Sequence, residues 1–265
     1  MENSAYISDS ERMPSCRLIL SAKPMDGRWN MAVDEALLDC AIASGQPVIR
    51  WYGWSAPTVS LGYFQPEDEI AAGPKFGALP RVRRLTGGGA IVHHHEWTYS
   101  CVLPPGQKLV RHPYELYDLL HRAVIDWFRD ERSISLQLRG ISQRNPEEPA
   151  LCFLREDSHD VCRGDVKVLG SAQRRRKGAL LQHGSLILRR SEYAPYVSGL
   201  CDLVPGSELS ARDGQALAWR LVHSVGEKIA VSRLTAEENR RAEEIAARVG
   251  NAEFRSVICS SVPVR

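Results

Sequence analysis

Residues 81–103 read RVRRLTGGGAIVHHHEWTYSCVL: short apolar runs without a helical period, broken by Gly87-Gly88-Gly89 and by a histidine run. Arg81–Leu85 and Ala90–His94 read as strands flanking a glycine-rich turn, and Thr98–Leu103 continues the β pattern until Pro104-Pro105 stops it. Three glycines between two strands let a backbone approach a ligand closely and present its N–H groups, and two adjacent arginines add charge suited to a phosphate or carboxylate. The same stretch is also compatible with a plain flexible hairpin. It is not a Walker A loop, because no Gly-Lys-Ser/Thr follows.

Working outward, Arg17–Ser21, Val48–Tyr52 and Thr58–Tyr63 read as strands, and Asp26-Gly27 as a turn. Asn30–Ala43 carries a broad apolar face and reads as a helix, with Asp34 and Glu35 near its first turn, where the helix dipole suits them. Pro113–Arg129 is a second helix, with Tyr114, Tyr117, Leu120, Val124 and Phe128 three or four apart. Residues 139–150 read as a polar loop, and strands follow near 159–172 and 179–189. Gly214–Ala230 reads as a helix, and a capping box at Thr235–Glu238 opens another that ends at Gly250. Strands come first and helices later. This predicts an α+β (mixed α/β) domain around a mainly antiparallel sheet, one unit over 16–255, after a mobile tail at 1–15.

Lys plus Arg total 34 and Asp plus Glu 32, so a net charge of +2 gives no overall field pointing to nucleic acid or an anionic membrane. No apolar run approaches the roughly 18 residues of a membrane helix, and the polar N-terminus lacks the features of a signal peptide. The expectation is a soluble cytoplasmic protein. Seven cysteines at irregular spacing, with no Cys-x-x-Cys pair, speak against a disulfide framework and a thiolate zinc site.

Four further features carry possible chemistry. In His93-His94-His95-Glu96, a strand would put His93 and His95 on one face. A metal pair is one reading; one pocket-lining imidazole with solvated neighbours is the other. Lys167 sits between Val166 and Val168 and is either a solvated edge lysine or an inward one facing a ligand. Arg174–Lys177 reads as a basic solvated loop that could meet an acidic partner. Cys152 is by default a buried thiol, but near a lysine ammonium a thiolate becomes a nucleophile.

Taken in order, NMAVDEAL (30–37), RWY (50–52), VSLGYFQ (59–65), RRLTGGGA (83–90), KVLGSAQ (167–173) and QHGS (182–185) resemble the lipoate–protein ligase A and octanoyltransferase superfamily, relatives of biotin protein ligase. The resemblance covers about Leu18 to Ala246. It implies a biotin/lipoate ligase-type fold, an acyl chain held in a tunnel of the sheet, and Lys167 at the acyl carbonyl. It further implies a substrate site built from Arg83, Arg84, Gly87, Gly88, Gly89, Ala90, His93, Gly170, Ser171, Ala172, His183 and Gly184, with no metal.

Ala150-Leu151-Cys152-Phe153 resembles the thiol segment of the cysteine-type LipM and LipL branch. That kinship implies an octanoyltransferase using a Cys152 acyl-enzyme without a cofactor. The donor would be octanoyl-acyl carrier protein or an octanoylated glycine-cleavage H protein, and the acceptor a lysine of a lipoyl domain. The chain ends soon after the capping-box helix, early for the accessory domain of ligases. The alternatives are a ligase using ATP and Mg to make an acyl-adenylate, and a non-catalytic acyl- or carrier-binding module. The sequence departs from the family where His94 replaces the usual aspartate, and in residues 154–163, which contain Cys162.

Overall fold

The computed structural model describes residues 15–66, 79–140 and 151–251. The tail at 1–14, most of the loop at 141–150, and residues 252–255 with Cys259 lie outside them. Eleven strands among the described residues form two sheets. They are β1 (Ser15–Leu20), β2 (Val48–Tyr52), β3 (Thr58–Leu61), β4 (Arg81–Arg83), β5 (Ile91–His93) and β6 (Glu96–Leu103). Then come β7 (Gln137–Leu138), β8 (Val161–Arg163), β9 (Val166–Arg176), β10 (Ala179–Ile187) and β11 (Lys228–Ser232). The eight-stranded sheet has the order β11-β1-β2-β6-β10-β9-β8-β7, and the small sheet the order β4-β3-β5. Only β11-β1-β2 and β3-β4 pair in parallel, so the sheets are mixed and mainly antiparallel.

Four long helices cover the large sheet: α1 (Gly27–Ser44), α2 (Pro113–Arg132), α3 (Ala211–Val225) and α4 (Ala236–Asn251). Successive strand side chains point to opposite faces. Cys101, Leu103 and Leu180 accordingly pack with Leu120, Phe128 and Leu221 of α2 and α3. Their neighbours Val102 and Leu181 pack on the other face with Leu37 and Ala41 of α1 and Ile245 of α4. Both faces of β6 and β10 are therefore buried, and these two strands form the spine on which the cleft described below is built.

The structure corrects four expectations. Asp26 is not in a free turn but is the N-cap of α1, its Oδ1 accepting from Trp29 N at 2.8 Å. The helix thus starts earlier, no acidic residue lies in its first turn, and Asp34 falls mid-helix facing the sheet. The expected helix 214–230 ends at Val225 with Gly226 as its C-cap, and Lys228–Ser232 extends to pair with β1. Finally, Arg174–Arg176 are not loop residues but the end of β9, and the turn consists of Lys177 and Gly178, both at positive φ. Among the described residues no helix is long and apolar enough to cross a membrane.

The first strand and the last helix are tied by charge. Arg17 donates to Glu238 (Nη2–Oε2 3.0 Å), to Ser232 Oγ and to the Arg233 carbonyl. Glu238 also closes the capping box by accepting from Thr235 N at 2.8 Å. Burial opposes ionisation of Glu238, but the bonds from Arg17 and Thr235 outweigh it and hold the carboxyl below its ordinary value of 4.5. Its contribution to stability is therefore complete above pH 4.5 and is lost as pH falls through the lower folded value. Arg17→Leu, which leaves a buried carboxylate unpaired, is expected to cost about 3–5 kcal/mol in urea unfolding at pH 7 and less in acid. A loss under about 1 kcal/mol at pH 7 would contradict the pairing.

Candidate active site

Arg84 builds the glycine-rich turn. Arg84 is 2% exposed. One Nη donates to Ser60 O at 2.9 Å and Ser60 Oγ at 3.2 Å, and the other to Gly87 O at 2.8 Å and Gly89 O at 2.6 Å. Burial lowers its pKa to about 10, which leaves it charged near neutrality. Arg83 donates from Nη1 to Gly62 O at 2.8 Å and Gln65 O at 2.7 Å. Both arginines thus shape backbone loops. Gly88 has φ +91°, in the left-handed region, and a Cβ on Gly62 would lie 1.9 Å from Gly88 O, so the two loops touch backbone to backbone.

This turn fixes the thiol. Ala90 and Leu151 form an isolated parallel bridge, and Cys152 N donates to Ala90 O at 2.8 Å. Cys152 opens a single 3-10 turn, Cys152–Leu154, half-buried, with its Sγ 3.5 Å from where a Gly88 Cβ would be. Cys162, the other cysteine considered, is buried in β8, and desolvation pushes its thiol up.

Lys167 is an inward lysine, not an edge one. Its Nζ meets Asp160 Oδ1 at 2.8 Å, Cys152 O at 3.3 Å and Arg155 O at 3.4 Å, and lies 5.3 Å from the centre of the Phe153 ring. A Cβ on Gly170 would sit 2.5 Å from Lys167 Cε and 2.9 Å from Nζ, so the ammonium lies directly over bare glycine backbone. Burial outweighs the attraction of Lys167 and raises the Asp160 carboxyl above its usual range.

A cleft opens here, between the glycine-rich turn and strands β9 and β10. The expected residues Arg84, His93, Cys152, Gly170, Ser171, Ala172, His183 and Gly184 line it together. Lys167 and Gly88 stand just behind that lining, at Gly170 and Cys152 respectively. Arg83, Gly87, Gly89 and Ala90 are not on the lining; they scaffold the loops. His93 stacks on Trp54 at 3.7 Å, with Nδ1 on Glu96 Oε1 at 2.8 Å and Nε2 on Ser60 Oγ at 2.7 Å. His94 and His95 stack on each other beyond the end of β5, His95 exposed, so the three rings do not share a strand face. Among the described residues no group of three or more His, Cys, Asp and Glu is placed to hold a metal.

The far wall is a buried network around His183, to whose partners Asp34 and Arg50 sequence reasoning assigned no functional role. Asp34 accepts from Arg50 Nη1 at 2.8 Å, Ser100 Oγ at 2.8 Å and Tyr52 OH at 2.9 Å. Its Oδ2 is 3.5 Å from His183 Nδ1, while His183 Nε2 meets Thr86 Oγ1 at 2.5 Å. Burial opposes its charge, but Arg50, His183 and Ser100 hold the Asp34 carboxyl below the usual carboxylate range, and burial lowers the His183 ring. The signal in the sequence was Asp34 and Arg50, each on an otherwise apolar face of its element.

A family model described as the lipoyl protein ligase A/B catalytic domain matches residues 26–198. The chain belongs to this family. Octanoyltransferase LipM of Anoxybacillus flavithermus is 36% identical over 181 residues, the match spanning 62% of each chain. Octanoyltransferase LipM of Kyrpidia tusciae is 30% identical over 274 residues, covering 89% of this chain and 96% of that one. The solved structure of the protein Ta0514 of T. acidophilum superposes with a TM-score of 0.71 at 21% identity, over 89% of this chain and 95% of that one. At that identity the likeness speaks for the fold, which is the lipoyl ligase fold expected above. All six family segments quoted from the sequence fall within the family match.

If the backbone contact of the two loops sets the cleft, Gly62→Ala is expected to destabilise by about 1–3 kcal/mol, read as a lowered urea midpoint at unchanged slope. An unchanged midpoint would show that the 87–89 turn is free to move away.

Proposed function

We infer that the chain is an octanoyltransferase of protein lipoylation, moving an octanoyl or lipoyl group from a carrier-protein thioester to a lysine of a lipoyl domain through Cys152. The observation carrying this reading is a cysteine whose side chain lines the cleft and whose carbonyl accepts from the buried Lys167 ammonium at 3.3 Å. In the first half-reaction the Cys152 sulfur attacks the thioester carbonyl and the carrier thiol departs. In the second the lysine ε-amine attacks the new thioester, the C–S bond breaks, and amide and Cys152 thiol result. Each tetrahedral intermediate places negative charge on the former carbonyl oxygen. Lys167, fixed by Asp160 and reaching the cleft across Gly170, stabilises that charge. Chemically the route needs neither nucleotide nor metal, because the thioester donor is already activated.

Octanoyl carrier protein mixed with the enzyme without ATP is expected to leave an octanoyl mass adduct that hydroxylamine removes and that Cys152→Ala lacks. Lys167→Ala is expected to slow its formation by about 10²–10³-fold at retained fold. A full-strength adduct in Cys152→Ala would refute the nucleophile, and product formed only from free acid plus ATP would replace transferase by ligase.

The donor's surface is acidic in this reading, and the geometry of the basic run favours Arg175 as the residue that meets it. Arg176 is paired with Glu35 and Asp39, and Arg174 lies over the Tyr63 ring, 4.5 Å from its centre. Arg175 is exposed and lines a groove with Arg111, Tyr114, Tyr117 and Gln173. Complementary charge mainly speeds encounter. Arg111→Glu with Arg175→Glu is therefore expected to lower kcat/KM about tenfold at low salt and to flatten its salt dependence, leaving kcat near wild type. An unaltered salt dependence would exclude this groove.

A further inference from the structure

β9 runs for 11 residues, and its second half has a strand on one side only. β8 pairs with it no further than Leu169. Beyond that, Asp160 lies against Gly170, and His121 ties the His159 carbonyl to Ser171. From Ala172 to Arg176 the inner edge pairs with β10, while among the described residues no backbone hydrogen bond reaches the outer edge. Such an edge is a row of unpaired N–H and C=O groups, a template for another strand. Side chains alternate along it. Ala172 lines the cleft, and Arg174, opposite Leu181, lies over the Tyr63 ring on that same face. Gln173 and Arg175 take the other face, beside the groove of Pro113 and Tyr114. A strand added to the edge lies about 4.8 Å out and continues the cleft floor by one strand. A side chain on its cleft face beside Ala172 then runs along that floor toward Gly170 and the Lys167 ammonium.

We propose that Ala172–Arg176 takes an extended acidic segment of the acceptor lipoyl domain as an added strand, with the target lysine on the cleft face beside Ala172. This rests on the transfer reading above. A lysine side chain reaches little beyond one strand spacing, so the acceptor has to seat against the cleft itself. A carrier protein holds its thioester on a long prosthetic arm and can dock further off. The two partners visit in turn, so both can use Arg175. The charge of the edge selects the segment. Arg176 is paired with Glu35 and Asp39, which leaves Arg174 and Arg175 to face whatever pairs there. Like charges opposite one another oppose pairing with a second copy of this edge, and acidic side chains favour pairing. The amine also enters toward the cations Arg84 and Lys167, which favour its neutral, nucleophilic form.

Hydrogen exchange locates the added strand without any chemistry. Full-length Cys152→Ala enzyme is labelled alone and with excess apo lipoyl domain. Alternate amides of 172–176 are expected to exchange at least about fivefold slower in the complex, the worth of one backbone hydrogen bond. Unchanged exchange over 172–176, or protection confined to other segments, overturns the proposal. So does protection that grows with the enzyme's own concentration in the absence of the domain, since a second copy would then hold the edge. Function is read on wild-type and Arg174→Glu enzyme, each first octanoylated to completion on Cys152. Arg174→Glu is expected to discharge to subsaturating lipoyl domain about tenfold slower than wild type, and to molar hydroxylamine, which needs no docked position, within about twofold. Wild-type transfer, or equal loss of both discharges, overturns the role given to Arg174. Absence of any Cys152 adduct in the wild type strikes the transfer reading itself, while the exchange result still decides the docking edge.

Discussion

An ammonium inside a protein is expensive unless oxygens replace its water, and the Lys167 ammonium is met by three: Asp160 Oδ1 and the carbonyls of Cys152 and Arg155. Much of the local architecture follows from that requirement. The segment after Leu151 has to turn tightly so that two of its carbonyls face one point, and the 3-10 turn at Cys152–Leu154 does this. Position 170 has to lack a side chain, because the lysine occupies that space. The thiol is placed as a by-product of solvating the cation: the residue that lends its carbonyl also carries the sulfur.

The rest of the cleft has a different electrostatic character. Arg84 and Arg50 spend their hydrogen bonds within the scaffold, Arg84 on neutral oxygens of Ser60, Gly87 and Gly89 and Arg50 on the Asp34 carboxylate. The imidazoles of His121 and His183 are both shifted toward neutrality by burial. Two fixed cations, Lys167 paired with Asp160 and Arg84 held by neutral oxygens, therefore stand at the Cys152 end, against walls of aromatic rings and glycine backbone. That division suits an apolar chain with a single carbonyl at its end.

Much of the architecture could be read from the sequence because it depends on local pattern. The β pattern of Thr98–Leu103, the 3–4 spacing of Tyr117, Leu120, Val124 and Phe128, and the capping box at Thr235–Glu238 each encode their own element. What escaped was long-range. Lys228–Ser232 follows straight on from the apolar pattern of the preceding helix, and it becomes a strand only by docking on β1. The basic run 174–177 reads as solvated until Glu35 and Asp39, some 140 positions away, are seen to pair with Arg176. The site residues were recognisable as a set through family resemblance, yet their division of labour was not. That Arg83 and Arg84 hold loops and that Asp34 braces His183 depend on which groups meet in space.

The central claim is that one buried cation serves the carbonyl of an acyl group carried by Cys152. A crystal structure of the enzyme trapped as its octanoyl thioester tests it most directly. The account predicts the acyl oxygen within hydrogen-bond reach of Lys167 Nζ across Gly170, with the chain running along the cleft past Trp54 and His93. An acyl oxygen turned away from Lys167, with the ammonium still bound only to Asp160 and the two carbonyls, would contradict it.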